Sequence, residues 1–118
     1  MAGSGLAIKR GPHGRGVFAT QRFRKGQLVE RCPTVEVPDA EVSGRLDDYV
    51  YSSVEDGDVL IVLGYGMLYN HSAEPNVEYV QVEPHTITFR ALRTVHPGEE
   101  LTIDYGEHWW QTRGLTPG

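Results

Sequence analysis

Apolar residues occur along this chain in short runs, and several runs alternate with polar residues at the period of two that a half-buried strand requires. Residues 59–63 form a continuous apolar run, which predicts a strand. Residues 77–82 and 86–92 alternate on either side of a Glu-Pro-His turn at 83–85, and this arrangement predicts a β-hairpin. Turn residues recur about every ten positions, a spacing that is typical of all-β domains.

The other strand candidates are short, and most of them are bounded by Gly or Pro. They occupy residues 17–19, 27–32, 33–38, 49–51 and 101–103. Helical periodicity is weak, and only residues 39–48 and the single turn at 66–69 are candidates for helix. We therefore expect a mainly β fold, mostly antiparallel and with little helix.

The length of 118 residues is sufficient for one domain with its own hydrophobic core. No apolar stretch approaches the roughly 20 residues of a membrane-spanning helix, and residues 1–5 lack a signal-peptide pattern. We expect a cytoplasmic location, or a nuclear one if the source is eukaryotic or viral. The single cysteine, Cys32, excludes an internal disulfide, and its apolar surroundings predict a buried structural thiol rather than a nucleophile.

Charge is distributed unevenly along the chain. The net charge of −5 argues against a general nucleic-acid binder. Residues 9–31 hold seven basic residues and one acidic residue, whereas residues 36–58 hold eight acidic residues and one basic residue. Two solvated faces that pair with each other would explain this asymmetry. The functional alternative is an acidic surface that attracts a basic peptide.

The histidines give no support to a metal site or a hydrolase. No two of them have the spacing of a zinc-binding pair, and no nucleophile elbow surrounds a serine. They are widely spread, at His13, His71, His85, His96 and His108. We therefore predict no metal.

Three other clusters each allow an ordinary structural interpretation beside a functional one. The Gly-Arg-Gly turn at 14–16 is either an ordinary turn or a place where backbone approaches a small ligand. The six tyrosines are either core residues or the walls of a site for a cationic amine. Trp109 and Trp110 are either a hydrophobic latch or a cover over a flat ligand.

Three segments, taken together and in this order, are far more specific than any one of them. They are Gly-Arg-Gly-Val-Phe-Ala at 14–19, Asn-His-Ser-Ala-Glu-Pro-Asn at 70–76 and Gly-Glu-Glu-Leu-Thr-Ile-Asp-Tyr-Gly at 98–106. This combination resembles the SET-domain protein-lysine methyltransferases. The resemblance covers residues 6–110, with residues 1–5 as a flexible leader and 111–118 as a tail. It implies small antiparallel sheets around a C-terminal pseudoknot, in which the C-terminal segment threads beneath a preceding loop.

The resemblance also implies a cofactor, a substrate and residues for each. S-Adenosyl-L-methionine would bind on one face, and a lysine of a basic protein such as a histone or ribosomal protein would enter from the other. Direct nucleic-acid or membrane binding is not implied, and a homodimer is left open. The implied cofactor-binding residues are His13, Arg15, Gly16, Asn70, His71 and Trp110. Tyr105 is the implied catalytic residue, and the implied substrate channel consists of Tyr49, Tyr79, Ile103 and Trp109.

The implied reaction is an in-line methyl transfer from a sulfonium to a neutral amine. The sulfonium and an apolar channel would both lower the lysine pKa from its usual value near 10.4, so the protein needs no strong base. Three residues depart from the family pattern. Ala73 stands where many members carry a zinc-binding Cys, Met67 where Arg is common, and Ile103 where Phe or Tyr is common. The smaller Ile103 would leave room for higher methylation.

Two other functions are compatible with the same residues. One is a SET-like cofactor- or peptide-binding module without turnover. The other is a β-fold peptide binder from another family, whose aromatic side chains form a methyl-lysine cage. Loss of methyl transfer on removal of the Tyr105 hydroxyl would separate the enzyme from both.

Overall fold

Strands dominate the computed structural model, which describes residues 5–12, 14–52, 58–83 and 85–105. Within these ranges the strands are β1 (Leu6–Gly11), β2 (Gly14–Ala19), β3 (Leu28–Pro38), β4 (Tyr51–Ser52), β5 (Asp58–Val62), β6 (Asn70–His71), β7 (Val77–Glu83), β8 (Thr86–Ala91) and β9 (Glu100–Ile103). This pattern confirms the prediction of a mainly β fold. In the described part of the chain, no helix is long and apolar enough to cross a membrane.

The strands form two sheets. One has four strands in the order β1-β2-β9-β6, and the other has five in the order β4-β5-β3-β8-β7. The hairpin predicted from residues 77–92 is confirmed, because β7 and β8 pair antiparallel. β3 lies at the centre of the larger sheet, where its eleven residues pair with both β5 and β8.

The helix candidate at 39–48 forms two short 3₁₀ helices, Asp39–Glu41 and Gly44–Asp48, instead of one α-helix. Gly44 has a φ of +67°, a left-handed conformation that an α-helix cannot include. No residue of Asp39–Glu41 is buried, so this segment has no apolar face to pack against the sheets. The candidate turn at 66–69 begins earlier, at residue 63, and is not helical.

The pairing of β6 with β9 departs from the antiparallel pattern. Asn70 pairs with Thr102 and His71 with Ile103 in a parallel arrangement. A parallel pair requires a long crossover connection. Here the connection contains the β7–β8 hairpin of the other sheet, so β6 and β9 lie at the junction of the two sheets.

The core lies between the two sheets. Val17 and Leu101 contribute from the smaller sheet, Leu60 and Phe89 from the larger one, and all four are fully buried. Cys32 is also fully buried, which confirms the prediction of a buried thiol. Burial and the nearby Glu30 carboxylate raise the pKa of the Cys32 thiol, so it remains protonated and unreactive at neutral pH.

Candidate functional site

Asn76 joins the loop after β6 to strand β9. Its side chain is 2% exposed, and its Nδ2 donates to the Glu100 carbonyl at 2.8 Å. Its Oδ1 accepts from the Thr102 backbone N–H at 2.8 Å. One amide side chain thus satisfies a donor and an acceptor of β9, and it holds β9 against the loop that follows Asn70-His71.

Replacing Asn76 by Ala is expected to lower the free energy of unfolding by about 2–4 kcal/mol. The substitution leaves a buried N–H and a buried C=O of β9 without partners, and each such loss costs about 1–3 kcal/mol. Urea denaturation measures the effect. Ser72→Ala is the control, because among the described residues the Ser72 hydroxyl takes part in an exposed bond, which it accepts from the Glu74 N–H. Equal stability of the two variants would contradict this role of Asn76.

The amide of Asn70 is held in one orientation. Its Nδ2 donates to the Arg15 carbonyl at 3.1 Å and to the Glu100 carboxylate at 2.6 Å. An amide nitrogen has two hydrogens, and both are used by these acceptors. The Oδ1 atom, an acceptor, therefore lies on the opposite side of the amide and is available to a ligand that donates hydrogen bonds.

Gly16 makes this arrangement possible by its lack of a side chain. A Cβ at this position would overlap the Glu100 carboxylate and lie 2.7 Å from Asn70 Nδ2. The structure thus brings together three residues predicted to bind the cofactor, Arg15, Gly16 and Asn70. His13 and Trp110, predicted for the same role, lie outside the described residues.

His71 holds the backbone of Tyr105. Its Nδ1 accepts from the Tyr105 N–H at 3.1 Å, so this nitrogen carries no hydrogen. The carboxylate of Asp104 is 3.8 Å from the same nitrogen, which is too far for a hydrogen bond, and this carboxylate is 62% exposed. The side chain of His71, 9% exposed, therefore positions the backbone of the residue predicted to be catalytic.

The hydroxyl of Tyr105 is fixed by a backbone carbonyl. It donates to the Tyr69 carbonyl at 3.1 Å, and its ring lies 5.2 Å from that of His71. Burial raises the pKa of Tyr105, and the nearby Tyr49 hydroxyl raises it further. A raised pKa keeps the phenol protonated at neutral pH. Tyr105 is therefore a neutral hydroxyl at neutral pH, held by the Tyr69 carbonyl.

Tyr51 is a site residue that the sequence interpretation missed. Its ring meets that of Tyr79 edge-on, with centroids 5.0 Å apart, and its hydroxyl donates to the Gly66 carbonyl. Burial raises the pKa of both hydroxyls. Tyr49, which was predicted to line the channel, follows a 3₁₀ helix and is 39% exposed, and its hydroxyl lies near that of Tyr105. The signal for Tyr51 was its place in the β-prone run 49–51.

Two more residues, Ile103 and Trp109, were predicted to line the channel. Ile103 is 2% exposed, belongs to the hydrophobic core and pairs with His71. Trp109 lies outside the described residues. No group of three His, Cys, Asp or Glu side chains among the described residues is arranged to hold a metal ion.

Glu30 is a second residue that the sequence interpretation did not identify. Its Oε1 accepts from the Tyr69 hydroxyl at 2.8 Å, and its Oε2 accepts from the Tyr65 N–H at 2.9 Å. The segment between these two contacts, residues 65–69, contains both carbonyls that bind the tyrosine hydroxyls of the site. One carboxylate on β3 thus anchors the backbone that positions Tyr51 and Tyr105.

Replacing Glu30 by Leu is expected to lower the melting temperature and to disturb the aromatic site. The Tyr69 hydroxyl is buried, and a buried hydroxyl without a partner costs about 1–3 kcal/mol. Differential scanning calorimetry measures stability, and tyrosine fluorescence monitors the site. Glu36→Leu on the same strand is the control, because the Glu36 carboxylate lies 3.5 Å from Nδ1 of the exposed His85 ring. A melting temperature equal to that of the control would count against the anchor.

The comparisons with known proteins agree on one family. The sequence model of the SET-domain family matches residues 14–106. A Schizosaccharomyces pombe histone-lysine N-methyltransferase specific for H3 lysine-37 is 32% identical over 103 residues, which cover 82% of this chain and 69% of the relative. The Danio rerio N-lysine methyltransferase KMT5A-A is 31% identical, over 80% of this chain but only 33% of the relative.

A solved structure extends this similarity to three dimensions. It is a crystal structure of a candidate histone methyltransferase from Plasmodium falciparum, with a TM-score of 0.76 and 32% identity. The alignment covers 89% of this chain and 96% of that one. The segments that carry the resemblance, at 14–19, 70–76 and 98–106, lie within the matched range of the family model. The chain belongs to the SET-domain family.

Proposed function

We propose that this protein is an S-adenosyl-L-methionine-dependent lysine N-methyltransferase acting on a basic protein. One observation carries the proposal: the hydroxyl hydrogen of Tyr105 is donated to the Tyr69 carbonyl, immediately before Asn70 in the chain. This bond fixes the direction of the Tyr105 O–H group, and the hydroxyl oxygen would be the acceptor that orients a substrate amine. An amine that donates hydrogen to this oxygen would have its own lone pair directed elsewhere, toward the methyl donor.

The residues on the cofactor side fit S-adenosyl-L-methionine. Its α-ammonium group donates hydrogen bonds, and Asn70 Oδ1 is an acceptor held in a fixed orientation. The backbone of Arg15 and Gly16 lies beside this amide, with no side chain at Gly16 to obstruct a ligand. His13 and Trp110 would add contacts of their own. The cofactor, when bound, supplies a methyl group on a positively charged sulfur.

The residues on the substrate side would receive a lysine and align it. The rings of Tyr51 and Tyr79, together with that of Tyr105, offer aromatic surface to the aliphatic stem and the cationic head of lysine. The neutral phenols would orient the amine and would not remove its proton. The apolar surroundings and the neighbouring sulfonium would both lower the lysine pKa, so that the amine becomes neutral. Alignment of this kind contributes on the order of 7–11 kcal/mol in well-oriented systems.

The acidic segment 36–58 supports a basic substrate. Its eight acidic residues and one basic residue would attract a lysine-rich tail by long-range electrostatics. The names of the relatives favour a histone, since those from S. pombe and human are histone-lysine N-methyltransferases. A ribosomal or other basic protein would fit the same charge.

We also propose that the C-terminal part of the chain forms a pseudoknot. Strand β9 lies between β2 and β6, and the Tyr105 N–H after it is bound by His71. These contacts support a path in which the chain after β9 passes beneath the loop that follows β6.

Calorimetry and a peptide array together test the proposed function. S-Adenosyl-L-methionine is expected to bind saturably, and radiolabelled methyl groups are expected to appear on one or more members of a panel of histone and ribosomal peptides. Absence of binding at millimolar cofactor would overturn the proposal. Binding without transfer to any peptide or lysate protein would identify the module without turnover.

A further inference from the structure

Glu100 is a carboxylate at the candidate site to which neither the sequence nor the reaction assigns a role. It begins β9, is half-buried, and accepts from Asn70 Nδ2 at 2.6 Å. We propose that Glu100 is a positioning residue that aims Asn70 Oδ1 at the cofactor's α-ammonium group and complements the charge of that group. This inference rests on the proposed use of S-adenosyl-L-methionine.

The first argument concerns the orientation of the amide. A side-chain amide can rotate by half a turn, which exchanges its oxygen and its nitrogen. In Asn70 the nitrogen side faces two acceptors, the Arg15 carbonyl and the Glu100 carboxylate. A rotated amide would place its oxygen against both. Glu100 thus ensures that the ligand meets an acceptor, and an ammonium group is a donor.

The second argument concerns charge. Among the described residues, Glu100 forms no salt bridge with Lys, Arg or His, although it is half-buried. A partly desolvated carboxylate is stabilised by a nearby cation, and here a cationic ligand would provide one. The carboxylate acts at short range on this site, since it contributes to the raised pKa of Tyr105.

The third argument concerns packing. Gly16 leaves room for the Glu100 carboxylate directly against the backbone of β2, where a Cβ would overlap it. The carboxylate is therefore enclosed by the β2 backbone on one side and by Asn70 on the other. Its place next to the proposed cofactor contacts is fixed by both neighbours.

Two variants separate charge from orientation. Glu100→Gln keeps the length of the side chain and an oxygen acceptor for Asn70 but removes the negative charge. It is expected to weaken S-adenosylhomocysteine binding about tenfold, in the range of a lost hydrogen bond to a charged group. Glu100→Leu also releases the amide of Asn70 and is expected to weaken binding further.

A ligand without the amine distinguishes this role from a purely structural one. 5′-Deoxy-5′-methylthioadenosine has no ammonium group, so Glu100→Gln is expected to leave its affinity within about twofold of the wild-type value. Glu99→Gln is the matched control, because it removes the same charge at the next residue, where the carboxylate pairs with Arg93 at 3.2 Å. This control is expected to bind both ligands as the wild type does.

Competition calorimetry on the full chain gives all of these affinities. Wild-type binding of S-adenosylhomocysteine together with an unchanged affinity in Glu100→Gln would overturn the inference and leave the proposed function intact. An equal loss for both ligands in Glu100→Gln would also overturn it, because it would indicate a structural role alone. Failure of the wild type to bind S-adenosylhomocysteine would overturn the proposed function and this inference together.

Discussion

Replacing Tyr105 by Phe is expected to reduce kcat at least about 100-fold and to change the affinity for S-adenosyl-L-methionine by less than about twofold. The substitution keeps the ring against His71 but removes the oxygen that the Tyr69 carbonyl holds in place. Removal of one preorganised polar group from an active site typically costs about 10²–10³ in kcat. Steady-state kinetics on a lysine peptide and calorimetry with the cofactor measure the two effects.

The matched control for this prediction is Tyr65→Phe. Tyr65 packs against the same core, and its contact with Glu30 uses the backbone N–H, which the substitution retains. It is expected to keep kcat within about threefold of the wild-type value, since the ring and the backbone N–H both remain in place. If Tyr105→Phe retained as much activity as Tyr65→Phe, the Tyr105 hydroxyl would have no part in the reaction.

Replacing Gly16 by Ala is expected to weaken cofactor binding at least about tenfold and to lower the melting temperature. The added Cβ would displace the Glu100 carboxylate and crowd Asn70 Nδ2 at 2.7 Å. Overpacking of this kind typically costs about 1–3 kcal/mol, and here the displaced atoms are those that orient Asn70. Calorimetry with S-adenosylhomocysteine and thermal denaturation measure the two losses.

Gly98→Ala provides the comparison for Gly16→Ala. Gly98 has a φ of +92°, but a Cβ there would meet no atom within 4 Å. Its substitution is expected to lower stability through backbone strain alone, by about 1 kcal/mol, and to leave cofactor affinity unchanged. Cofactor affinity that fell equally in both variants would show that the Gly16 effect is a general loss of stability.

The fold was largely predictable because local patterns determine most of it. Alternation and turn residues identified the 77–92 hairpin and the apolar strand at 59–63, and the structure contains both. The parallel pair of β6 and β9 was not predictable in this way. In this pair Asn70 lies opposite Thr102, and β6 has only two residues. A strand of two residues is too short to show an alternation of apolar and polar positions in the sequence.

The site was predictable only in part. The sequence did not identify two of its carboxylates, those of Glu30 and Glu100, and the physical reason is the same for both. Glu30 lies on an alternating strand, and Glu100 lies beside a second acidic residue, so each is the type of residue expected on a solvated face. Their partners are far away in sequence: Glu30 binds Tyr69, 39 positions later, and Glu100 binds Asn70, 30 positions earlier. Sequence patterns report which face a strand buries, whereas these bonds depend on how distant segments meet.

Tyr51, beside the predicted channel residue Tyr49, shows the same limit on a smaller scale. Both residues belong to one β-prone run, but a 3₁₀ helix ends just before Tyr49, and the strand begins only at Tyr51. Tyr51 pairs with the fully buried Leu60 and therefore enters the core. The hydroxyl that reaches the Gly66 carbonyl depends on where the 3₁₀ helix ends and the strand begins. The sequence pattern does not determine that position.

Mass spectrometry of a methyl-transfer reaction tests the central claim most directly. The wild-type protein, incubated with a lysine-rich histone peptide panel and S-adenosyl-L-methionine that carries a deuterated methyl group, is expected to add that label to a lysine ε-nitrogen. Tyr105→Phe is expected to add almost none under the same conditions. Label on a residue other than lysine, or equal labelling by the two proteins, would contradict the account.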